Sequence, residues 1–213
     1  MPRPIPTTVG HFTHIDNVPT IAQHGLLCDS HAHGPGLLTT EVGELSIKAR
    51  RRSRAVTAGL GGVVADYVPF YFATRSPMMY SIHRGNVSTF SGDSHDLVYL
   101  VTTVEALIID GYRPVYTDRN AVLAFSRQSD GLEVLDAMVD WDLMKATMWK
   151  NTDDDPDRKE RRMAECLVHH KVHWSVFTQI VVHNAARADR VRTDLDRLGI
   201  TIPPIDVRPG SYF

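Results

Sequence analysis

Arg161-Arg162-Met163-Ala164-Glu165-Cys166-Leu167-Val168 is the stretch on which the fold turns. After Glu165 the residues are apolar and strand-like, so the carboxylate stands at the first position of a buried strand and is held at a fixed point. Before it runs a polar stretch, Asn151 to Glu160, able to cover or uncover the acid. Far upstream stand two further blocks, His11-Phe12-Thr13-His14 and Tyr67-Val68-Pro69-Phe70-Tyr71-Phe72-Ala73-Thr74-Arg75-Ser76-Pro77-Met78. Together the three suggest a pocket for a large planar cofactor with one acid at its reactive end.

Outward from that stretch, strands are expected at 68–72, 97–102, 115–117, 165–168, 177–182 and 200–207. Helices are expected at 18–27, 44–53, 76–83, 103–109, 140–148 and 185–198. Asp16 or Asn17 caps the first of them, Pro19 sits in its first turn and Gly25 lies near its end. Ser76 opens the third, with Pro77 at the first helical position. Residues 28–43, with four Gly or Pro, read as a loop. Short strands with scattered helices predict an α+β fold. No regular βαβ rhythm, GxGxxG or GxxxxGK[ST] motif supports a Rossmann or P-loop reading.

The chain has 213 residues, 43% of them hydrophobic, which suits one globular domain with a sizeable core. No apolar run of transmembrane length occurs, and the first residues lack a signal-peptide core. Two cysteines, Cys28 and Cys166, make no disulfide framework, so the cytosol is the expected compartment. A formal net charge of −2 does not announce a nucleic-acid binder. Charge is uneven, however: Lys48, Arg50, Arg51, Arg52 and Arg54 fall together, as a solvated face or a phosphate-binding patch.

Several blocks carry candidate chemistry. His11 at a strand edge can bond a ribose hydroxyl, and the backbone after it can pair with an amide. Tyr67, Phe70, Tyr71, Phe72 and Tyr80 are core aromatics by default, and a stack for a flat ring otherwise. Arg75-Ser76-Pro77 opens a helix where a cation and free N–H groups favour phosphate. Glu165 has no second acid beside it, as paired-carboxylate glycosidases require. His169, His170 and His173 fall in an extended segment and no HExxH occurs, so no metal is expected. Cys166, flanked by Leu167 and Val168, reads as a buried inert thiol.

In order and spacing these blocks resemble the DarT family of DNA ADP-ribosyltransferases, the toxins of DarT–DarG pairs. The motifs are His11-Phe12-Thr13-His14-Ile15-Asp16-Asn17, His24-Gly25-Leu26, Ile47-Lys48 with Arg50-Arg51, Tyr67 to Phe72 and Arg75-Ser76-Pro77-Met78. Thr117-Asp118-Arg119-Asn120-Ala121, Asp140-Trp141 and Arg162-Met163-Ala164-Glu165 complete them. The resemblance implies an ADP-ribosyltransferase fold, two packed antiparallel sheets with surrounding helices and a central NAD cleft. It implies transfer of ADP-ribose from NAD to thymidine or guanosine in single-stranded DNA, and a macrodomain antitoxin of the DarG kind as partner.

Residue by residue, the resemblance makes Glu165 the catalytic glutamate and Arg51 the catalytic arginine, with Arg50 and Arg52 leaving the register open by one. It places His11, Phe12 and Thr13 at the ribose and nicotinamide edge of NAD. Asn17, Gly25 and Leu26 fall on the adenosine side, and Tyr71 and Met78 at the nicotinamide end, beside Arg51. DNA contacts are expected from Lys48, Arg50, Arg52, Arg54, Arg75, Arg119 and Arg162. Residues 150–160 resemble the target-presenting loop, although Asp153-Asp154-Asp155 sits badly against a phosphate backbone unless it points away. Met163 stands where a glutamine is common in relatives. Rival readings are transfer to RNA or protein, a non-catalytic nucleic-acid-binding module built on Lys48 to Arg54, and a histidine-metal hydrolase.

Overall fold

Strand β1 (Thr8–His14) is followed by α1 (Val18–His24), β2 (Leu26–Leu27), α2 (Asp29–Ala32), α3 (Leu45–Ser53), β3 (Tyr67–Tyr71) and α4 (Pro77–His83). Then come β4 (Leu97–Thr103), α5 (Val104–Ile109), β5 (Val115–Thr117), β6 (Gln128–Ser129), α6 (Leu135–Met138) and α7 (Trp141–Lys145). The chain ends with α8 (Arg158–Arg161), β7 (Glu165–His169), β8 (Lys171–Val172), β9 (Gln179–Val182), α9 (Ala185–Asp196) and β10 (Ile205–Val207). This computed structural model describes residues 2–34 and 36–213; Pro35, counted in the expected 28–43 loop, lies outside the described residues.

Eight strands form a sheet in the order β10-β9-β4-β1-β3-β7-β5-β6, and β2 pairs with β8 in a separate ribbon. β1 runs antiparallel to β4 from Thr8↔Thr103 to His14↔Leu97, and β3 antiparallel to β7 from Tyr67↔His169 to Tyr71↔Glu165. Between β1 and β3 the pairing is a single contact, Gly10↔Tyr71. The sheet is thus two four-stranded halves joined at one point, which is the expected two-sheet arrangement. Among the described residues the one parallel pair is β9–β10. Val9, Leu100 and Ile180 of one half and Val68, Phe70 and Val168 of the other share one buried apolar cluster. Beyond the β1–β3 joint the halves diverge, and a cleft opens there.

Several expected elements are shorter than their patterns, each for a physical reason. The 18–27 helix stops at His24 because Gly25 takes φ +82°, and its N–H reaches back to the Ile21 carbonyl. A Cβ there would lie 2.5 Å from the Lys171 side chain and 2.9 Å from the Val172 carbonyl, so the close approach of β8 requires glycine. The 140–148 helix ends at Lys145 because Arg162 takes up the carbonyls of Leu143, Met144 and Ala146. The 200–207 strand narrows to β10, the part that pairs with β9. Helix α9 follows its pattern: Asn184 accepts the Arg187 N–H, and Ala188, Val191 and Leu195 bury one stripe. No helix among the described residues is long and apolar enough to cross a membrane.

Candidate active site

The cleft holds a cavity of about 380 Å³. β1 lines it with His11, Phe12 and Thr13; the segment after β1 adds Asn17, Gly25 and Leu26. Arg51 of α3, Tyr71 of β3, Met78 of α4 and Glu165 of β7 complete the wall on the other side. Every residue that the sequence placed at a NAD site or in catalysis therefore faces one cavity.

Glu165 is fully buried and Arg51 is 8% exposed. Arg51 Nη1 donates to Glu165 Oε1 at 3.2 Å and Oε2 at 3.3 Å. Helix α3 makes the choice among its three arginines, because Arg50 and Arg52 stand exposed on the faces to either side. β7 presents Glu165 at its first residue, opposite Tyr71. The Glu165 N–H donates to Thr117 Oγ1 at 3.0 Å, and Thr117 Oγ1 donates to the Arg119 carbonyl at 2.6 Å, so the acid is pinned through β5. Burial pushes the Glu165 carboxyl up, against the pull of the Arg51 charge and the Ala121 backbone N–H. Arg51 Nη2 is buried with no partner, a donor in want of an acceptor at the cavity.

His11 Nδ1 lies 2.8 Å from the Pro69 carbonyl. Burial lowers its pKa to about 4, with the Pro69 bond opposing and the Arg51 charge assisting. The ring is therefore neutral, Nδ1 donates to Pro69 and Nε2 is left as an acceptor. Phe12 lies nearly parallel to Tyr71, 15° apart with centroids at 5.9 Å. Asn17 differs from the sequence expectation in one respect. Its Nδ2 donates to Thr13 Oγ1 and the Thr40 carbonyl, and its Oδ1 accepts the Thr39 and Thr40 N–H groups. The amide is saturated, so Asn17 shapes the wall by holding residues 39–40 across it.

The cations expected on DNA separate by environment. Arg162 is a correction: it is 5% exposed, and its guanidinium is occupied by carbonyls of Leu143, Met144, Ala146 and Thr74, so it ties loops together and presents nothing to phosphate. Lys48 is a second correction, with its ammonium on Asp29 at 2.5 Å and on Glu41. Arg119 is paired with Asp118 and Asp157, and Arg52 with Asp29. Arg54 donates to the Ala124 carbonyl. Among the described residues, Arg50 and Arg75 have no carboxylate partner. Lys159, which the sequence reading did not single out, lines the cavity with Asn120 and Met163. Its only legible signal was its place in the loop before Glu165.

That loop turns two of its acids, Asp155 and Asp157, inward on itself. Arg161 binds Asp140, Asp155 and Asp157; Arg158 binds Asp155; Arg119 binds Asp157. Of the acidic run, Asp155 is thus neutralised, while Asp153 and Asp154 are exposed. Asp29, His33 and Glu41 bring ligand atoms within 4.8 Å of one another, but the Lys48 ammonium already sits on both carboxylates. His169 and His170 stack on each other at 3.6 Å. Cys166 is wholly buried, and burial pushes its thiol up, away from thiolate chemistry.

Residues 10–213 match the family model described as "ssDNA thymidine ADP-ribosyltransferase, DarT". A DNA ADP-ribosyl transferase of Mycobacterium tuberculosis is 36% identical over 214 residues, 99% of this chain and 91% of that protein. The DarT of Thermus sp. 2.9 in complex with ADP-ribosylated single-stranded DNA superposes with a TM-score of 0.93 at 32% identity, over 100% of this chain and 99% of that one. Its complex with NAD+ gives a TM-score of 0.87 at 31% identity, over 99% and 100%. A fusion protein of Thermosipho africanus, named as DNA ADP-ribosyl transferase joined to DNA ADP-ribosyl glycohydrolase, is 24% identical over 91% of this chain and 47% of its own length. The chain belongs to the DarT family and is a DNA ADP-ribosyltransferase.

Proposed function

We propose that this DarT-family chain transfers ADP-ribose from NAD to the base of a thymidine in single-stranded DNA, releasing nicotinamide, as the toxin of a toxin–antitoxin pair. The observation that carries the reading is the buried Arg51–Glu165 pair in the cavity wall, with one Arg51 nitrogen still lacking an acceptor. An unmet guanidinium donor in a dry wall fits an oxygen-rich substrate such as the ribose and pyrophosphate of NAD. The family's description supports thymidine, and the Thermus complexes support NAD and DNA as the ligands.

NAD supplies a ribose whose nicotinamide leaves as a neutral molecule. Because a single Arg51 nitrogen spans both Glu165 oxygens, each oxygen keeps a lone pair. One accepts the ribose 2′-hydroxyl and steadies positive charge developing at the neighbouring carbon. The other accepts the imide proton of thymine, a role suited to a carboxyl pushed up by burial. The base nitrogen then bonds to the ribose carbon as the bond to nicotinamide breaks. Arg51 stays protonated and holds the glutamate and substrate oxygens in place. His11 Nε2 accepts a ribose hydroxyl, the Thr13 backbone pairs with the nicotinamide amide, and Tyr71 and Met78 enclose that end. Gly25 and Leu26 border the adenosine, behind the wall that Asn17 holds.

The imide nitrogen of thymine is hidden by pairing in a duplex, which favours a single strand. Lys159, Arg50 and Arg75 meet its phosphates. The partner we propose is a macrodomain antitoxin that removes the modification, a pairing supported by the fused glycohydrolase named in the Thermosipho relative. The test is mass spectrometry of single-stranded oligonucleotides, each enriched in one base, after incubation with NAD and the protein. One ADP-ribose added to the thymidine-rich strand, and none with Glu165→Ala, is the expected result. NAD consumed without any DNA product would move the target to RNA or protein.

A further inference from the structure

We infer that Arg75, Tyr80, Trp149 and Phe213 form a second nucleotide subsite, which stacks a base of the single strand flanking the thymidine that reacts; this rests on the DNA reading above. Tyr80 meets Trp149 at 5.9 Å and Phe213 at 5.1 Å, with planes 80° and 70° apart. Trp149 meets Phe213 at 6.3 Å and 85°. Phe213 is also met by the Arg75 guanidinium and, at 6.1 Å, by His83, so Tyr80 and Trp149 are the rings of the trio left to offer a face. Tyr80 is 41% exposed, and the neighbouring Met148 is 70% exposed.

Arg75 adds the charge. Its guanidinium lies 4.6 Å over the Phe213 ring, no carboxylate pairs with it among the described residues, and its Nε is buried without a partner. It sits at φ +52°, left-handed backbone that a side chain adopts at a cost. Two bonds hold that conformation: the Arg75 N–H donates to the Tyr99 hydroxyl, and Trp149 Nε1 donates to the Arg75 carbonyl at 2.9 Å. The fold thus maintains a strained, carboxylate-free arginine against aromatic rings, the combination that takes a base on its face and a phosphate on its edge.

The cluster's place is right for a flanking nucleotide. Tyr80 rides on α4, whose Pro77, Met78 and Ser81 line the cavity, and Trp149 precedes the loop that carries Lys159 to the cavity. A strand entering with its target base at Glu165 meets this cluster outside the cavity. The rings carry no base-specific donors beyond a hydroxyl and an indole N–H already bonded to Arg75. The subsite therefore contributes affinity with little preference among bases.

The experiment uses thymidine oligonucleotides carrying 2-aminopurine at successive positions on either side of the target, with the full chain, NAD and single-turnover product analysis. Stacking quenches 2-aminopurine at one flanking position with wild-type protein. Tyr80→Ala and Arg75→Gly, the second of which also suits the positive φ, abolish that quench. They raise KM for an extended oligonucleotide about tenfold, the lower part of the range for a stacked base, and change kcat far less. Quenching at no position, or unchanged KM in both folded variants while wild-type protein modifies DNA, would make the cluster internal packing only. Absence of any DNA product with wild-type protein would instead remove the DNA reading itself.

Discussion

Two arginine–carboxylate systems lie on either side of Met163, and they are built oppositely. Before it, Arg161 is half-buried and shared among Asp140, Asp155 and Asp157, with Arg158 and Arg119 closing the network. Beyond it, Glu165 is buried in the wall of a cleft with Arg51, joined to it by one nitrogen, with another Arg51 nitrogen unmet. Water screens the first system, so its bonds set the shape of a loop at little net energy. The second is buried without full compensation from protein groups, which leaves a donor for a polar substrate. The same residue types hold structure in one place and reserve binding capacity in the other, and burial makes the difference.

Substituting the buried acid tests this contrast most severely. Glu165→Gln keeps the shape and an acceptor for Arg51 but removes the charge and the base. Nicotinamide release in the presence of single-stranded DNA should fall about 10³-fold or more, with the circular dichroism spectrum unchanged. Retention of even a tenth of the activity would place the chemistry elsewhere. Arg162 supplies an internal reference, an arginine equally hidden but serving carbonyls. Arg162→Leu strands four of them and should cost about 3 kcal/mol or more in urea unfolding. A neutral result would mean that those carbonyls find water.

Arg161→Ala opens the half-buried network. It should change stability by less than about 1 kcal/mol, while transfer to DNA declines several-fold as Lys159 loses its support. A loss of stability as large as that of Arg162→Leu would erase the distinction between the two systems. A separate test comes from pH. The folded His11 pKa of about 4 lies below its ordinary 6.5, so the folded state binds fewer protons between these values. Stability that is complete above 6.5 is then lost as pH falls through 4, at less than about 1.4 kcal/mol per pH unit. His11→Asn should flatten that acid limb in urea midpoints measured from pH 4 to 7, and an unchanged slope would assign it to carboxylates.

How far these features were legible beforehand varies with how local their causes are. Ser76-Pro77 and Thr103 mark helix starts that the structure keeps, with Ser76 accepting the Met79 N–H and Thr103 the Ala106 N–H. Glu165 ahead of Cys166-Leu167-Val168 marks a strand start that it also keeps. Arg162 was illegible because nothing nearby in sequence shows that Leu143, Met144, Ala146 and Thr74 will turn their carbonyls toward it. Lys48 likewise looked free because Asp29 and Glu41 reach it only once the 28–43 loop folds back. Asn17 is saturated by Thr13, Thr39 and Thr40, one of them a helical turn away and two across that same loop.

By itself the sequence determined most of the longer strands and helices, though not β2, α2, β6 or α8, and the blocks that meet at the cleft, Glu165 among them. These follow from apolar periodicity, capping residues and motif order, all of which act over a few neighbouring residues. Only the tertiary structure decided that Arg51, and neither of its neighbours on α3, turns inward to Glu165. Only it decided which arginines keep charge to offer a substrate. Both outcomes depend on which distant carbonyls and carboxylates arrive beside a side chain, and on how much water remains when they do.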